Sequence, residues 1–208
     1  MTRILIGTPV KESLPSGYVK SVADMIARNK DIEFDLRLEY GALYDARDRL
    51  CRYTLDEDFD YLLCIDSDQT FPADAIEKLL SHQVNIITGV YVDKHSQHKP
   101  LLFSELHPRD NDKAPYAKRK DLDLSKELIT VAGCGAGFML VSNHALRLIK
   151  IHKRGWFEPY GGLGEDVSFC QRAREVGLKI YCDTTIKDIG HIKTITYTIK
   201  DWSGVLDE

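Results

Sequence analysis

Apolar residues in the first half of the chain recur in patterns that alternate between strand and helix. Short, continuous apolar runs and one stretch that alternates apolar with charged residues predict strands. Apolar positions at helical spacing predict the segments between them as amphipathic helices. The strands are expected over residues 3–7, 32–40, 61–65 and 85–92, and the helices over residues 17–29, 45–55 and 72–82. Strand–helix alternation of this kind is typical of a parallel sheet covered by helices.

The second half of the chain has a less regular pattern. Residues 105–126 are crowded with charge, which predicts an exposed loop, either an acceptor-binding flap or a solvated connection. An apolar, glycine-rich stretch follows over residues 131–141. Helices are then expected over residues 143–152 and 165–176, and a strand over residues 179–182. Since no internal repeat or low-complexity linker divides the sequence, we predict one domain.

Composition and charge narrow the class of protein. A chain of 208 residues, 43% hydrophobic and 29% charged, has the size and balance of a globular domain. Its formal net charge of −4 argues against general binding of nucleic acids. No apolar run is long enough to cross a bilayer or to act as a secretory signal. The five cysteines are widely spaced and lie in apolar segments, which predicts reduced, buried thiols and a cytoplasmic location.

The first candidate site is Asp66-Ser67-Asp68, directly after the predicted strand Tyr61–Ile65. In an extended chain, residues at i and i+2 point to the same side, so both carboxylates would emerge together at the carboxyl edge of the sheet. Like charges this close favour a bound cation, and Mg²⁺ or Mn²⁺ would bridge them to phosphates. The alternative is a polar turn that ends a strand.

The second candidate is the sequence from Gly161 to Asp166, which leads into a helix. Glu165 and Asp166 could simply complement the helix dipole. Asp166, however, lies one turn before Phe169, on the side of the helix that packs, which makes it a candidate general base.

Two weaker signals lie in the second half. The glycines of residues 133–137 resemble a dinucleotide fingerprint, but no helix opens within them, so a tight, ligand-facing turn at Gly135 is expected. His191 could complete a Mn²⁺ site with Asp68, although a lone histidine is more often structural. His95 and His98 could touch an acceptor.

Taken together, these motifs resemble the GT-A glycosyltransferases, in particular the compact, family 2-like members. The resemblance rests on the order of several segments along most of the chain: Ile4 to Pro9, Ala46 to Leu50, Leu63 to Asp68, Gly135 to Leu140, Gly164 to Cys170 and Gly190-His191. It implies an α/β, Rossmann-like fold with a mixed, mainly parallel central sheet flanked by helices. Residues 1–92 would form the half that binds a nucleotide-sugar, and residues 93–208 the acceptor and catalytic half.

The resemblance also implies roles for individual residues. Asp66 would contact the ribose, and Asp68 and His191 would hold Mn²⁺ or Mg²⁺ against the diphosphate, with Asp166 as the catalytic base of an inverting transfer. The other implied contacts are Thr8 and Pro9 at the nucleobase, Arg47 near the base or phosphates, Ser67 and Gly135 at the donor, Glu165 orienting donor or acceptor, and Trp156 or Phe157 stacked on a sugar. For those two aromatic rings, packing in the core is the alternative.

The implied activity is transfer of a sugar from a nucleotide-diphosphate donor, UDP-sugar foremost, to a hydroxyl of a glycan, lipid-linked or protein acceptor. A catalytically silent nucleotide-sugar-binding module and a sugar nucleotidyltransferase are the alternatives. The second usually carries a glycine-rich, basic phosphate loop after the first strand, whereas this chain has Thr8-Pro9-Val10-Lys11-Glu12 there.

Overall fold

The computed structural model describes residues 1–94, 98–108, 116–118, 122–152 and 155–193. The helices are α1 (Ser16–Arg28), α2 (Leu43–Asp56), α3 (Ala75–Ser81), α4 (Asn143–His152) and α5 (Glu165–Glu175). The strands are β1 (Thr2–Pro9), β2 (Ile32–Glu39), β3 (Tyr61–Ile65), β4 (Gln69–Thr70), β5 (Ile86–Gly89), β6 (Leu102–Phe103), β7 (Glu105–His107), β8 (Tyr116–Lys118), β9 (Leu128–Val131), β10 (Gly133–Cys134), β11 (Phe138–Ser142), β12 (Ile180–Asp183) and β13 (Gly190–His191).

The central sheet has seven strands in the order β2-β1-β3-β11-β5-β12-β9. Strands β1, β2 and β3 pair in parallel, and β12 pairs in parallel with β5. Strand β11 runs antiparallel to both of its neighbours, β3 and β5, and β9 runs antiparallel to β12. Since five strands therefore point one way, the prediction of a mixed, mainly parallel sheet is confirmed.

Apolar side chains cover both faces of this sheet. Along β1, Leu5 points into one core while Ile4 and Ile6 point into the other, as alternation along a strand requires. Helices α1 and α3 cover the face of Ile4 and Ile6, and helices α2, α4 and α5 cover the opposite face. Burial on both faces explains why β1 and β3 read as continuous apolar runs in the sequence.

The charged segment over residues 105–126 differs from its prediction as a loop. It contains the antiparallel pair β7–β8, in which Glu105 lies opposite Lys118 and accepts a hydrogen bond from Lys118 Nζ at 2.8 Å. Opposite charges across the strands favour this pairing. Seven other charged residues of the segment, Arg109, Asp110, Asp112, Lys113, Arg119, Lys120 and Asp121, lie outside the described residues, as does His95. His98 is exposed.

All five cysteines are free and buried, which confirms their prediction as reduced thiols. Burial raises the pKa of Cys64 to about 12 and that of Cys182 to about 12, so these thiols are poor nucleophiles near neutral pH. Every helix within the described ranges is too short or too polar to span a bilayer.

Candidate active site

A cleft of about 600 Å³ lies at the carboxyl edge of the central sheet, where open α/β folds bind ligands. Residues of the β1–α1 connection, the start of α2 and the turn after β3 line it. They are Pro9, Val10, Lys11, Glu12, Ser13, Pro15, Gly41, Leu43, Asp66, Ser67, Asp68, Lys94 and His191. A second concavity of about 650 Å³, at the opposite edge of the sheet, contains none of the candidate residues.

Asp66 and Asp68 lie in a turn, which corrects the expectation of an extended chain. The backbone N–H of Gln69 donates to the carbonyl of Asp66 at 3.0 Å and closes a four-residue turn after β3. Strand β4 begins immediately afterwards and pairs with β13, which carries His191. As a result the two carboxylates have different partners. Asp66 faces Arg47, and Asp68 faces Lys94 and His191.

Asp68 is the centre of a small cationic cluster in the cleft. Lys94 Nζ contacts Asp68 Oδ2, and His191 Nε2 lies 3.4 Å from Asp68 Oδ1. Partial burial opposes ionisation of Asp68, but hydrogen bonds from His191 and Lys94 outweigh it and lower the pKa of Asp68 to about 2. The hydrogen bond to Asp68 raises the pKa of His191. His191 Nδ1 is held by the carbonyl of Val92 at 2.9 Å, which fixes the ring.

The side chains around Asp68 fit a divalent cation whose other coordination positions are filled by oxygens of a bound ligand. One carboxylate and one imidazole lie within 3.4 Å of each other. Within the part of the chain that the structure describes, no group of three or more His, Cys, Asp or Glu side chains could hold a metal by itself. Ions such as Mg²⁺ commonly bind through one or two carboxylates plus substrate phosphates, so a two-residue protein site is in keeping with that chemistry.

Arg47 connects the Asp66 turn in the cleft with Glu165 at the start of α5. Its side chain is only 2% exposed. Arg47 Nη2 donates to Asp66 Oδ1 at 2.6 Å, and Nη1 donates to Glu165 Oε1 at 3.1 Å. Burial opposes the charged form, but Asp66, Asp166 and Glu165 outweigh it and raise the pKa of Arg47. The guanidinium of Arg47 therefore holds two protein carboxylates. Contact of Arg47 with the base or phosphates, which the resemblance implies, stays a prediction.

Asp166 belongs to the same acidic cluster and lies in the first turn of α5. The backbone N–H of Val167 donates to Asp166 Oδ1 at 2.7 Å. Withdrawal from water raises the pKa of Asp166 to about 6, the charge of Arg47 opposes this shift, and the charge of Glu165 adds to it. As a whole residue, Asp166 is partly exposed. A carboxylate with a pKa near the working pH suits a general base.

The glycine-rich stretch before β11 serves packing against Tyr91. The backbone N–H of Gly137 donates to the hydroxyl of Tyr91 at 2.8 Å, and the carbonyl of Gly137 accepts from the backbone N–H of Asp66 at 2.9 Å. Gly135 is buried, and a Cβ placed there would lie 2.2 Å from the Tyr91 hydroxyl oxygen. Its backbone N–H donates to Leu101. A glycine is therefore needed at position 135 because the Tyr91 side chain leaves no room for a Cβ. Gly135 does not line the cleft.

Substituting Gly135 with alanine should lower the free energy of unfolding by about 2 kcal/mol, the middle of the range for overpacking a core. The clash involves the Tyr91 hydroxyl, so Y91F should recover part of the loss when it is combined with G135A. Chemical denaturation of the two single variants and the double variant checks this. Additive losses would contradict a clash at that hydroxyl.

The remaining predicted contacts fall into two groups. Pro9 and Ser67 line the cleft. Thr8 is fully buried and its hydroxyl pairs with Tyr18 at 2.5 Å, so its side chain does not reach the cleft. Trp156 and Phe157 are also buried.

The two aromatic residues pack in the core, the alternative weighed for them in the sequence. The indole N–H of Trp156 donates to the carbonyl of Leu146 at 2.9 Å. Phe157 stacks on Phe169, with 4.6 Å between ring centroids. Asp48 Oδ1 accepts the backbone N–H groups of both residues, which explains an aspartate directly after Arg47.

Sequence reasoning missed Lys94 as a member of the site. A signal was present, because Lys94 follows the predicted strand over residues 85–92 and therefore stands at the same edge of the sheet as Asp68. Lys94 lies among other polar and charged residues, so nothing in the sequence marks it as a functional lysine.

No protein-family model matches the chain, and no curated protein sequence matches it. Similar solved structures include A197 from STIV, which is 19% identical with a TM-score of 0.63 and is matched over 93% of this chain and 87% of that chain. GalNAc-T7 with UDP, GalNAc and Mn²⁺ is 12% identical with a TM-score of 0.58, over 98% of this chain and 44% of that chain. TarS 1-349 of S. aureus in complex with UDP-GlcNAc is 12% identical with a TM-score of 0.56, over 95% of this chain and 60% of that chain.

GalNAc-T7 and TarS are GT-A-type glycosyltransferases. At these low identities the likeness establishes the fold alone. The chain has the GT-A, Rossmann-like fold, and the expectation of that fold is confirmed. This chain spans less than two thirds of the length of the GalNAc-T7 and TarS chains.

Proposed function

We propose that the protein is a metal-dependent, inverting glycosyltransferase of the family 2-like group that transfers a sugar from a nucleotide-diphosphate donor, with UDP the first nucleotide to test. The observation that carries this proposal is the connection of two sites through one buried arginine. Arg47 holds Asp66, beside the candidate metal ligand Asp68, and also Glu165, beside the candidate base Asp166. GalNAc-T7 with UDP, GalNAc and Mn²⁺, and TarS with UDP-GlcNAc, support a UDP-sugar as donor.

The cleft is lined by both apolar and charged side chains, which suits a nucleoside diphosphate. Pro9, Val10 and Leu43 contribute apolar surface, which suits a base. Asp68, Lys94 and His191 contribute charges that lie close together, which suits a diphosphate with a divalent cation. Asp68 and His191 would hold Mn²⁺ or Mg²⁺, and such an ion supplies Lewis-acid stabilisation of the charge on a leaving diphosphate.

Asp166 would accept the proton of the acceptor hydroxyl. The acceptor oxygen then bonds to the anomeric carbon on the face opposite the diphosphate, the carbon–oxygen bond to the diphosphate breaks, and its electron pair leaves with UDP. Glu165 and Arg47 keep the base in place, since Arg47 donates to Glu165 at the start of the same helix. Inversion follows from attack on that opposite face. Residues 1–92 would contribute most of the donor site, and residues 93–208 would contribute the base together with Lys94 and His191 of the cleft.

The direct test is a calorimetric titration of UDP into the protein with and without Mn²⁺. We expect binding that depends on the metal in the wild-type protein. D68N removes the anionic ligand and should weaken binding in Mn²⁺ at least about tenfold, because a charged metal ligand is lost. D56N, which makes the same change at an exposed position of α2, should bind as the wild type does.

The titration together with an assay of UDP release from UDP-sugars separates the transferase from the silent module. Equal binding by D68N and the wild type would contradict the metal site. Metal-dependent binding of UDP without release of UDP from any UDP-sugar would favour a silent nucleotide-sugar-binding module. The cytoplasmic location stays a prediction, and a glycan, a lipid-linked molecule and a protein all remain open as acceptors.

A further inference from the structure

Lys94 is a charged residue of the cleft that contacts the candidate metal ligand directly and takes no part in the proposed sugar transfer. Its ammonium group contacts Asp68 Oδ2, while His191 Nε2 faces Oδ1. Both oxygens of the candidate metal ligand therefore already have a nitrogen partner. About a quarter of the Lys94 side chain is exposed, 26%, so the pair is only partly solvated.

The backbone around Lys94 holds this contact in place. Val92 forms a β-bridge with Pro100, and the backbone N–H of Asp93 donates to the carbonyl of Lys99 at 2.9 Å. The carbonyl of Val92 also accepts the hydrogen bond that orients His191. The same short segment thus positions both nitrogen groups that face Asp68.

We propose that Lys94 is a built-in counter-ion that occupies the cation position of Asp68 while the cleft is empty and leaves it when a nucleoside diphosphate enters. This inference rests on the proposed function for the identity of the ligand. It makes metal and nucleotide binding mutually dependent, so that neither binds well without the other.

Two physical reasons support the exchange. An ammonium and a divalent cation compete for one carboxylate, because each needs its lone pairs and the two cations repel. A diphosphate offers the ammonium a new anionic partner in the same cleft, which frees Asp68. By linkage, a nucleotide that strengthens metal binding is itself bound more tightly by the same factor in the presence of the metal.

The test is a Mn²⁺ titration of the whole protein without nucleotide, followed through the electron paramagnetic resonance of free Mn²⁺. K94Q should bind Mn²⁺ about fivefold more tightly than the wild type, the upper end of what a partly exposed ion pair contributes. K94R keeps the charge and should bind Mn²⁺ as the wild type does. K99Q removes an exposed lysine from the same segment and should also leave the affinity unchanged.

The same titration at saturating UDP measures the coupling. The factor by which UDP tightens Mn²⁺ binding should be smaller in K94Q than in the wild type. In a D68N background K94Q should have no effect on Mn²⁺ affinity, because the shared carboxylate is gone. Mn²⁺ affinity that is unchanged or weaker in K94Q would overturn the proposal.

The outcomes distinguish this inference from the proposed function. Metal-dependent UDP binding by the wild type, with no gain of Mn²⁺ affinity in K94Q, rejects the counter-ion and leaves the transferase in place. Tighter Mn²⁺ binding by K94Q, with no binding of UDP or of any other nucleoside diphosphate to any variant, rejects the transferase and retains Lys94 as the counter-ion of Asp68.

Discussion

D166N should lower the rate of UDP release from UDP-sugars by about 10²–10⁴-fold, the usual contribution of a general base. The asparagine has nearly the same shape and can still accept the backbone N–H of Val167, but it cannot take a proton. UDP binding in Mn²⁺ should be unchanged, since Asp166 does not line the donor cleft. Steady-state assays of UDP release and calorimetry of UDP binding, on the same preparation, separate the two effects.

The pH dependence of the wild-type enzyme gives this prediction a second readout. The pKa of Asp166 is raised to about 6, so the basic form is lost as the pH falls through 6. We expect kcat/KM to fall about tenfold per pH unit below that value and to be level above it. A rate in D166N within twofold of the wild type, or a flat profile between pH 5 and 7, would reject Asp166 as the base.

The thermal stability of D166N is a control, because it should stay equal or rise while the rate of UDP release falls. A carboxyl whose pKa is raised on folding favours the folded state most at low pH, and that contribution is lost as the pH rises through about 6. D166N removes the cost of a withdrawn anion, so its midpoint of thermal unfolding should equal or exceed that of the wild type at pH 8. A lost rate together with higher stability cannot result from misfolding.

R47M should lower the free energy of unfolding by about 3 kcal/mol, because removing one member of a buried ionic network leaves its partners uncompensated. Methionine preserves most of the buried aliphatic part of the arginine side chain. The loss of stability is therefore due to the missing guanidinium and its hydrogen bonds to Asp66 and Glu165. The partners are about a quarter exposed, at 28% and 26%, which places the effect at the lower end for such networks. Urea denaturation measures it.

The matched control is R52M on the same helix, because Arg52 is exposed. It should change the free energy of unfolding by less than about 0.5 kcal/mol. The loss in R47M should be larger at pH 8 than at pH 5, since acids without Arg47 repel one another most when they are ionised. A loss equal to that of R52M would show that the buried network contributes nothing to stability.

R47M also distinguishes a positioning residue from one that contacts the substrate. The charge of Arg47 opposes the raised pKa of Asp166, so its removal should move the acidic limb of the kcat/KM profile to higher pH. A residue that only bound phosphate would instead raise KM and leave the profile in place. The pH profile of UDP release therefore decides between the two roles for Arg47.

Much of the fold could be predicted from the sequence because local patterns report burial. Continuous apolar runs predicted β1 and β3, because both faces of these strands are buried. Helical spacing predicted α1, α2, α4 and α5 within a few residues of their observed bounds. Helix α3 begins at Ala75, three residues after the predicted start at Pro72, whose carbonyl accepts the Ala75 N–H at 3.1 Å. The short strands β4, β6, β10 and β13 have too few residues to produce a period.

For the candidate site, the sequence by itself determined that Asp66 and Asp68 follow a buried strand, which makes them candidates for the carboxyl edge of the sheet. It also determined that Asp166 lies at the start of a helix, on the side that packs. Only the tertiary structure decided their partners. Arg47 and Glu165 are 118 positions apart, and Asp68 and Lys94 are 26 apart, so no local pattern links them. The tertiary structure also buries Thr8, Trp156 and Phe157, so their side chains do not line the cleft. Periodicity records which side of an element is apolar, whereas the pairing of charges depends on how elements distant in sequence pack together.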